Sequence, residues 1–208
     1  MLERAARAAV GCWFSAERRL CEGVQSADAP DRVFPDDWFR YWGVGRTFRR
    51  DGNRDAIRGL LFDKRSELMA AGPDEAAWQL VQQLASEIQP MNAGWRPTSL
   101  VSKYAYSCAP RAFSPYDRFA RGQLQTRDHD YVGYSQAFTQ RKFDIRNQLA
   151  AFVRPDGGVG LSAQNLPVDG RAMNEDIFVA RTTDWFLLLQ GGFDDTKWPA
   201  WRGPMIAG

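Results

Sequence analysis

The sequence is short of histidine, cysteine and lysine. It has one histidine, His129, and three widely spaced cysteines, Cys12, Cys21 and Cys108. An odd, scattered set of cysteines does not make a disulfide framework. No Cys/His cluster has zinc-ligand spacing, no four-cysteine run suits an iron–sulfur cluster, and no spacing of carboxylates argues for another metal. The expectation is therefore no metal and no cofactor. No apolar run approaches the roughly 20 residues that a bilayer crossing needs. The first twenty residues carry charges throughout and lack the pattern of a cleaved leader. These absences predict a cytoplasmic protein with no membrane partner. Of 27 basic residues only four are lysines, Lys64, Lys103, Lys142 and Lys197, so the positive charge is almost all arginine. Arginine suits two-pronged phosphate contacts better than lysine. A GC-rich coding sequence gives the same bias, and the net charge of +2 by itself does not point to nucleic acid.

What the chain does have is aromatic and helical. Its 208 residues, 44% hydrophobic and 13% aromatic with eight Trp and thirteen Phe, are enough to bury a core without disulfides. Strand-like alternation is weak and no internal repeat is present. Periodicity predicts an all-α fold, a compact multi-helix domain of about eight helices over 1–208. A finer division sets a small lobe, 1–90, on a catalytic core, 91–208. A monomer is expected.

Ala5 to Cys21 reads as an amphipathic helix. Asp36 and Asp37 suit the start of an aromatic helix that Gly43 and Gly45 break. Asn53 is placed to cap a helix running to Ala70, and Pro73 or Asp74 starts another that Pro90 should stop. Thr98 or Ser99 should cap the next, which carries Leu100, Val101, Tyr104 and Cys108. A break at Pro110 to Pro115 precedes a short helix from Tyr116-Asp117, and Tyr131 to Val153 reads as one long helix. Arg154 to Gly170, rich in Gly and Pro, reads as a mobile loop or small hairpin. Asn174 to Leu189 is the last helix, ended by Gly191-Gly192. Trp198 and Trp201 are expected to dock back onto the body.

The segment richest in chemistry is Arg96 to Arg121, RPTSLVSKYAYSCAPRAFSPYDRFAR. Two helix starts, each with free backbone N–H groups, bring a Lys and an Asp into one region flanked by Arg96, Arg111, Arg118 and Arg121. The order helix start, Lys, apolar helix, turn, Asp, helix, Arg resembles the core of the helix-hairpin-helix DNA glycosylase superfamily. Trp42-Gly43-Val44-Gly45-Arg46 followed by Pro115-Tyr116-Asp117-Arg118 is similar to a pairing in uncharacterised bacterial proteins. Together these likenesses span about residues 36–125. They imply a divergent glycosylase fold and DNA as partner. Asp117 would be the catalytic carboxylate, and Lys103 would stand at the position of the lysine that attacks the sugar in lyase-competent members. Two features depart from the superfamily. Trp95 to Ser102 replaces its glycine-containing hairpin, and Lys103 and Asp117 are 14 residues apart, a few fewer than usual. Lys103 as a phosphate contact or structural group in a monofunctional enzyme therefore stands beside lyase chemistry.

On this resemblance Arg96, Thr98, Ser99, Ser102, Arg118 and Arg121 face DNA. Trp42, Tyr41, Trp38, Tyr104 and Tyr116 line a pocket for a flipped base, and Trp95 and Tyr106 are further aromatic candidates. Breaking an N-glycosidic bond builds positive charge on the sugar, which a fixed carboxylate stabilises. Bland readings apply to the same residues. Asp117 also reads as a helix cap, most aromatics as core, and His129 as part of a polar turn. Arg181 and Asp184 read as an ion pair, unless Asp184 is buried against the site. Ser135, Ser162 and Cys108 have no visible base partner, so a nucleophilic triad has no support. The function expected is excision of a damaged or modified base, one class being glucosylated hydroxymethylcytosine in phage DNA. A non-enzymatic DNA-binding module and an interaction protein of a defence locus are the alternatives.

Overall fold

The structure is a computed structural model, and it describes residues 1–47, 52–149 and 173–194. Within them the chain forms helices and no strands. The fold is all-α: α1 (Leu2–Cys12), α2 (Arg18–Gln25), α3 (Trp38–Trp42), α4 (Arg54–Asp63), α5 (Arg65–Ala70), α6 (Glu75–Met91), α7 (Thr98–Cys108), α8 (Arg118–Leu124), α9 (Tyr131–Leu149) and α10 (Glu175–Gln190). No helix among the described residues is long and apolar enough to cross a membrane.

Ten helices replace the eight expected because two predicted helices are each divided. The first runs from α1 into α2 through a π-helical turn, Trp13–Glu17. Trp13, Ala16 and Glu17 of that wider turn are buried. The second divides at Lys64, between α4 and α5. Asn53 and Asp74 cap α4 and α6 as expected, accepting from Ala56 N at 3.0 Å and Ala77 N at 2.9 Å. Asn174 caps α10 in the same way. Gly43, at φ 64°, ends α3.

Pro90 does not stop α6, which continues to Met91. In the last turn the missing N–H forfeits a single intrahelical bond, and the chain leaves at Asn92 instead. Neither Thr98 nor Ser99 caps α7. Pro97 occupies the cap position, and the two hydroxyls bond neighbouring segments. The predicted loop at Arg154–Gly170, the end of the helix predicted to reach Val153, and Trp198 and Trp201 lie outside the described residues.

The helix α7 is the axis of the molecule. Ten of its eleven residues are buried, because α2, α5 and α6 pack around it. Next to it α10 packs against α1, α8 and α9. Such a helix is expected to be apolar all round, so the polar residues that α7 and α10 carry inward are the informative ones.

Candidate functional site

Lys103 lies midway along α7, with 8% of its side chain exposed. A buried ammonium requires polar partners. Its Nζ donates to the backbone oxygen of Trp42 at 3.1 Å. That carbonyl is available because the left-handed Gly43 ends α3 there, and a helix C-terminus favours a cation. Across the gap stands Asp117 Oδ2, 3.9 Å from the same nitrogen. Asp117 is the N-cap of α8, and its Oδ1 accepts from Phe119 N at 2.9 Å. Its side chain is 29% exposed, so the carboxylate is open to solvent while the lysine behind it is enclosed.

Two serines set this juxtaposition. Ser99 Oγ donates to the carbonyl of Tyr116 at 3.1 Å, and Ser102 Oγ accepts from Tyr116 N at 3.0 Å. The backbone just before Asp117 is thereby fastened to one face of α7. Tyrosines of α9 hold the preceding turn. Tyr131 Oη donates to Ser114 O at 2.9 Å, and Tyr134 Oη donates to Pro115 O at 2.8 Å. The hydroxyl of Tyr116 accepts from His129 N at 2.9 Å and lies 3.1 Å from Asp128 Oδ1. Burial pushes its pKa up to about 12.

A buried ion network lies behind the pair. Arg181 of α10 donates through Nε to Glu17 Oε2 at 2.8 Å and through Nη2 to Glu17 Oε1, while Nη1 bonds Asp184 Oδ2. Glu17 also accepts from Tyr41 Oη at 2.6 Å and Tyr106 Oη at 3.1 Å. The guanidinium lies over the rings of Trp42 and Tyr106, 5.7 and 5.5 Å from their centroids. Asp184 Oδ1 and Trp42 Nε1 are buried with no hydrogen-bond partner among the described residues. The Asp184 carboxyl is pushed up to about 6, first by burial and then by the like charge of Asp117, against the pull of Arg181.

Of the residues singled out in the sequence, Lys103, Asp117, Tyr116, Ser99 and Ser102 come together. Trp42 joins them through its carbonyl. Trp38, Tyr41 and Tyr104 are core rings committed to internal hydrogen bonds: Trp38 Nε1 to Ser107 Oγ, Tyr41 to Glu17, and Tyr104 to Leu61 O. Thr98 is buried, sharing a 3.0 Å hydrogen bond with His129 Nδ1. Arg118 is exposed over the ring of Phe119, Arg121 lies 3.8 Å from Asp128, and Arg96 is partly buried. Arg181 and Asp184 form the expected ion pair, and both are buried, Asp184 against the site. Glu17 carried a signal that was not used: it lies four residues after Trp13 and three before Leu20, so regular periodicity already places this acid on the inward face of the first helix. Arg181 and Asp184 did carry a signal, as charges three apart in the otherwise apolar run IFVARTTDWFLLL.

Among the described residues no group of three His, Cys, Asp or Glu is arranged to hold a metal ion. The chain matches no protein-family model, no curated protein and no solved structure.

Proposed function

We propose that this protein is a DNA N-glycosylase of the helix-hairpin-helix type, with Asp117 as its catalytic carboxylate. The observation that carries the reading is the pairing of a solvent-open carboxylate at a helix start with a buried lysine 3.9 Å away. In this chemistry the bond from C1′ to the base breaks with its electron pair leaving on the base, which is then protonated. Positive charge builds at C1′, and Asp117 stabilises it. The same carboxylate takes a proton from the water whose oxygen bonds to C1′. Lys103, enclosed and bonded to the Trp42 carbonyl, favours a positioning role over attack on the sugar. The enzyme is then monofunctional and leaves an abasic site. DNA is the partner, the cytoplasm the compartment, and a damaged or hypermodified base the substrate class.

One observation favours a second reading, a non-enzymatic DNA-binding module. Asp117 is already engaged as the cap of α8, and Lys103 as the partner of Trp42. Abasic-site formation separates the two, measured on unmodified, damaged and phage-hypermodified DNA with wild type and Asp117→Asn. Abasic sites from wild type alone on one DNA support the glycosylase and name its substrate class. A folded protein that leaves every DNA intact, yet binds DNA in a salt-dependent manner, supports the binding module.

A further inference from the structure

We propose that Trp95 is the ring on which a base of the bound DNA strand stacks, an inference that rests on the DNA reading above. A stacking ring needs an accessible face. Trp38, Tyr41, Tyr104 and Tyr116 are buried, whereas Trp95 is 58% exposed. It lies on the six-residue turn, 92–97, that joins α6 to α7.

This turn is held rigid from within. Ala93 and Gly94 take left-handed conformations, with φ of 51° and 79°. The buried Asn92 carboxamide donates to Thr47 O at 2.8 Å and to the carbonyl of Trp95 itself at 3.1 Å. Gln89 Nε2 donates to Gly94 O at 3.0 Å, and Gly94 N to Gln89 O at 2.9 Å. A large apolar ring is thus presented to solvent on a fixed scaffold, which lowers the ordering cost of a contact made there. The turn leads directly into α7, whose first residues carry the Ser99 hydrogen bond to Tyr116, next to Asp117. Arg96 is the next residue in the chain and is partly buried. An exposed aromatic face followed in the chain by an arginine, on the turn that leads into the helix fastened beside Asp117, matches the chemistry of a DNA strand, with base on ring and phosphate on arginine. Every base has a π-face, so this contact holds the strand without reading its sequence.

The test is equilibrium binding of a fluorescein-labelled single-stranded oligonucleotide, and of a duplex containing an abasic site, across a salt series. Wild type, Trp95→Ala, Trp95→Phe and Arg96→Ala are compared as full chains. Trp95→Ala should weaken binding about tenfold, and Trp95→Phe should recover most of the loss. The slope of affinity against salt should not change in Trp95→Ala, because no phosphate neutraliser is lost, whereas Arg96→Ala should reduce it by about one. Trp95 is exposed, so circular dichroism of both Trp95 variants should match wild type. If wild type binds DNA and Trp95→Ala binds equally well, the stacking role is overturned while the DNA reading stands. If Trp95→Ala instead converts a wild-type dimer to a monomer without changing DNA affinity, the ring is a contact between copies and the proposal fails. If wild type binds neither DNA, both readings fall together.

Discussion

Asp184→Asn should stabilise the protein at neutral pH, although it removes one end of a buried ion pair. Arg181 is shared between Glu17, which engages it through both oxygens, and Asp184, which offers one oxygen and leaves the other unpartnered. Burial disfavours the Asp184 carboxylate, and a guanidinium shared with Glu17 does not fully offset that, so the carboxyl rises to about 6. Against an unfolded value of about 3.9, the folded state holds this proton more tightly between roughly pH 4 and pH 6. Its contribution is therefore intact below the unfolded value and is lost as pH rises through the folded one. A difference of about two pKa units corresponds to roughly 3 kcal/mol. Asparagine keeps the shape, cannot ionise, and leaves Arg181 its fork on Glu17. Urea unfolding of both proteins from pH 4 to pH 8 should show near-equal stability at pH 4. The variant should gain by roughly 3 kcal/mol at pH 7 and above, and the difference between the curves removes the titration of all other groups. The opposite result, a loss of about 3–5 kcal/mol at pH 7, is what breaking an essential buried ion pair gives, and it would refute the reasoning.

Asp117→Asn removes the like charge facing Asp184, so the pH range of declining stability in the wild-type background should move to lower pH in the same urea series. Asp117→Ala should cost about 1 kcal/mol by deleting the cap on α8, whereas Asn retains it; equal stabilities for the two variants would contradict the capping geometry. Lys103→Met should destabilise the fold by roughly 1–3 kcal/mol by leaving the Trp42 carbonyl without its donor. If the enzyme is monofunctional, borohydride should trap no covalent DNA adduct with wild type. Ser102→Ala leaves the buried N–H of Tyr116 without its acceptor, at a cost of roughly 1–3 kcal/mol by thermal or urea unfolding. A smaller change there would mean that other contacts hold the turn before Asp117.

Local signals foresaw much of this architecture because short-range chemistry decides it. Asn53, Asp74 and Gly43 each act within four residues of their own position and perform the predicted role, and Asn174, where the last helix was expected to begin, is its cap. Where partners are distant in the chain, the local reading failed. Thr98 and Ser99 look like caps, yet their hydroxyls bond His129 and Tyr116, 31 and 17 residues away. The meeting of Lys103 and Asp117 was expected from two helix starts on either side of a turn, and the family resemblance added the roles; the hydrogen bonds of Ser99 and Ser102 to Tyr116 that close the turn were not visible in the spacing. Aromatic rings nominated as pocket walls proved to be core where their hydroxyl or indole groups found internal partners, as with Tyr41 on Glu17 and Trp38 on Ser107. Glu17 was legible in the pattern, four residues after Trp13 and three before Leu20 on the inward face of the first helix, while its partner Arg181 lies 164 residues away, where no local spacing could find it.

The two polar layers of the site are linked through Trp42. Its carbonyl receives Lys103, and its ring carries Arg181. With every group charged, Glu17, Asp184 and Asp117 outnumber Arg181 and Lys103 by one negative charge. Below about pH 6 a proton on Asp184 removes that excess, and burial together with the charge of Asp117 favours it there. The inner layer thus responds electrostatically to what happens at the outer carboxylate. A positive charge developing beside Asp117 offsets its repulsion of Asp184 and draws the Asp184 pKa down.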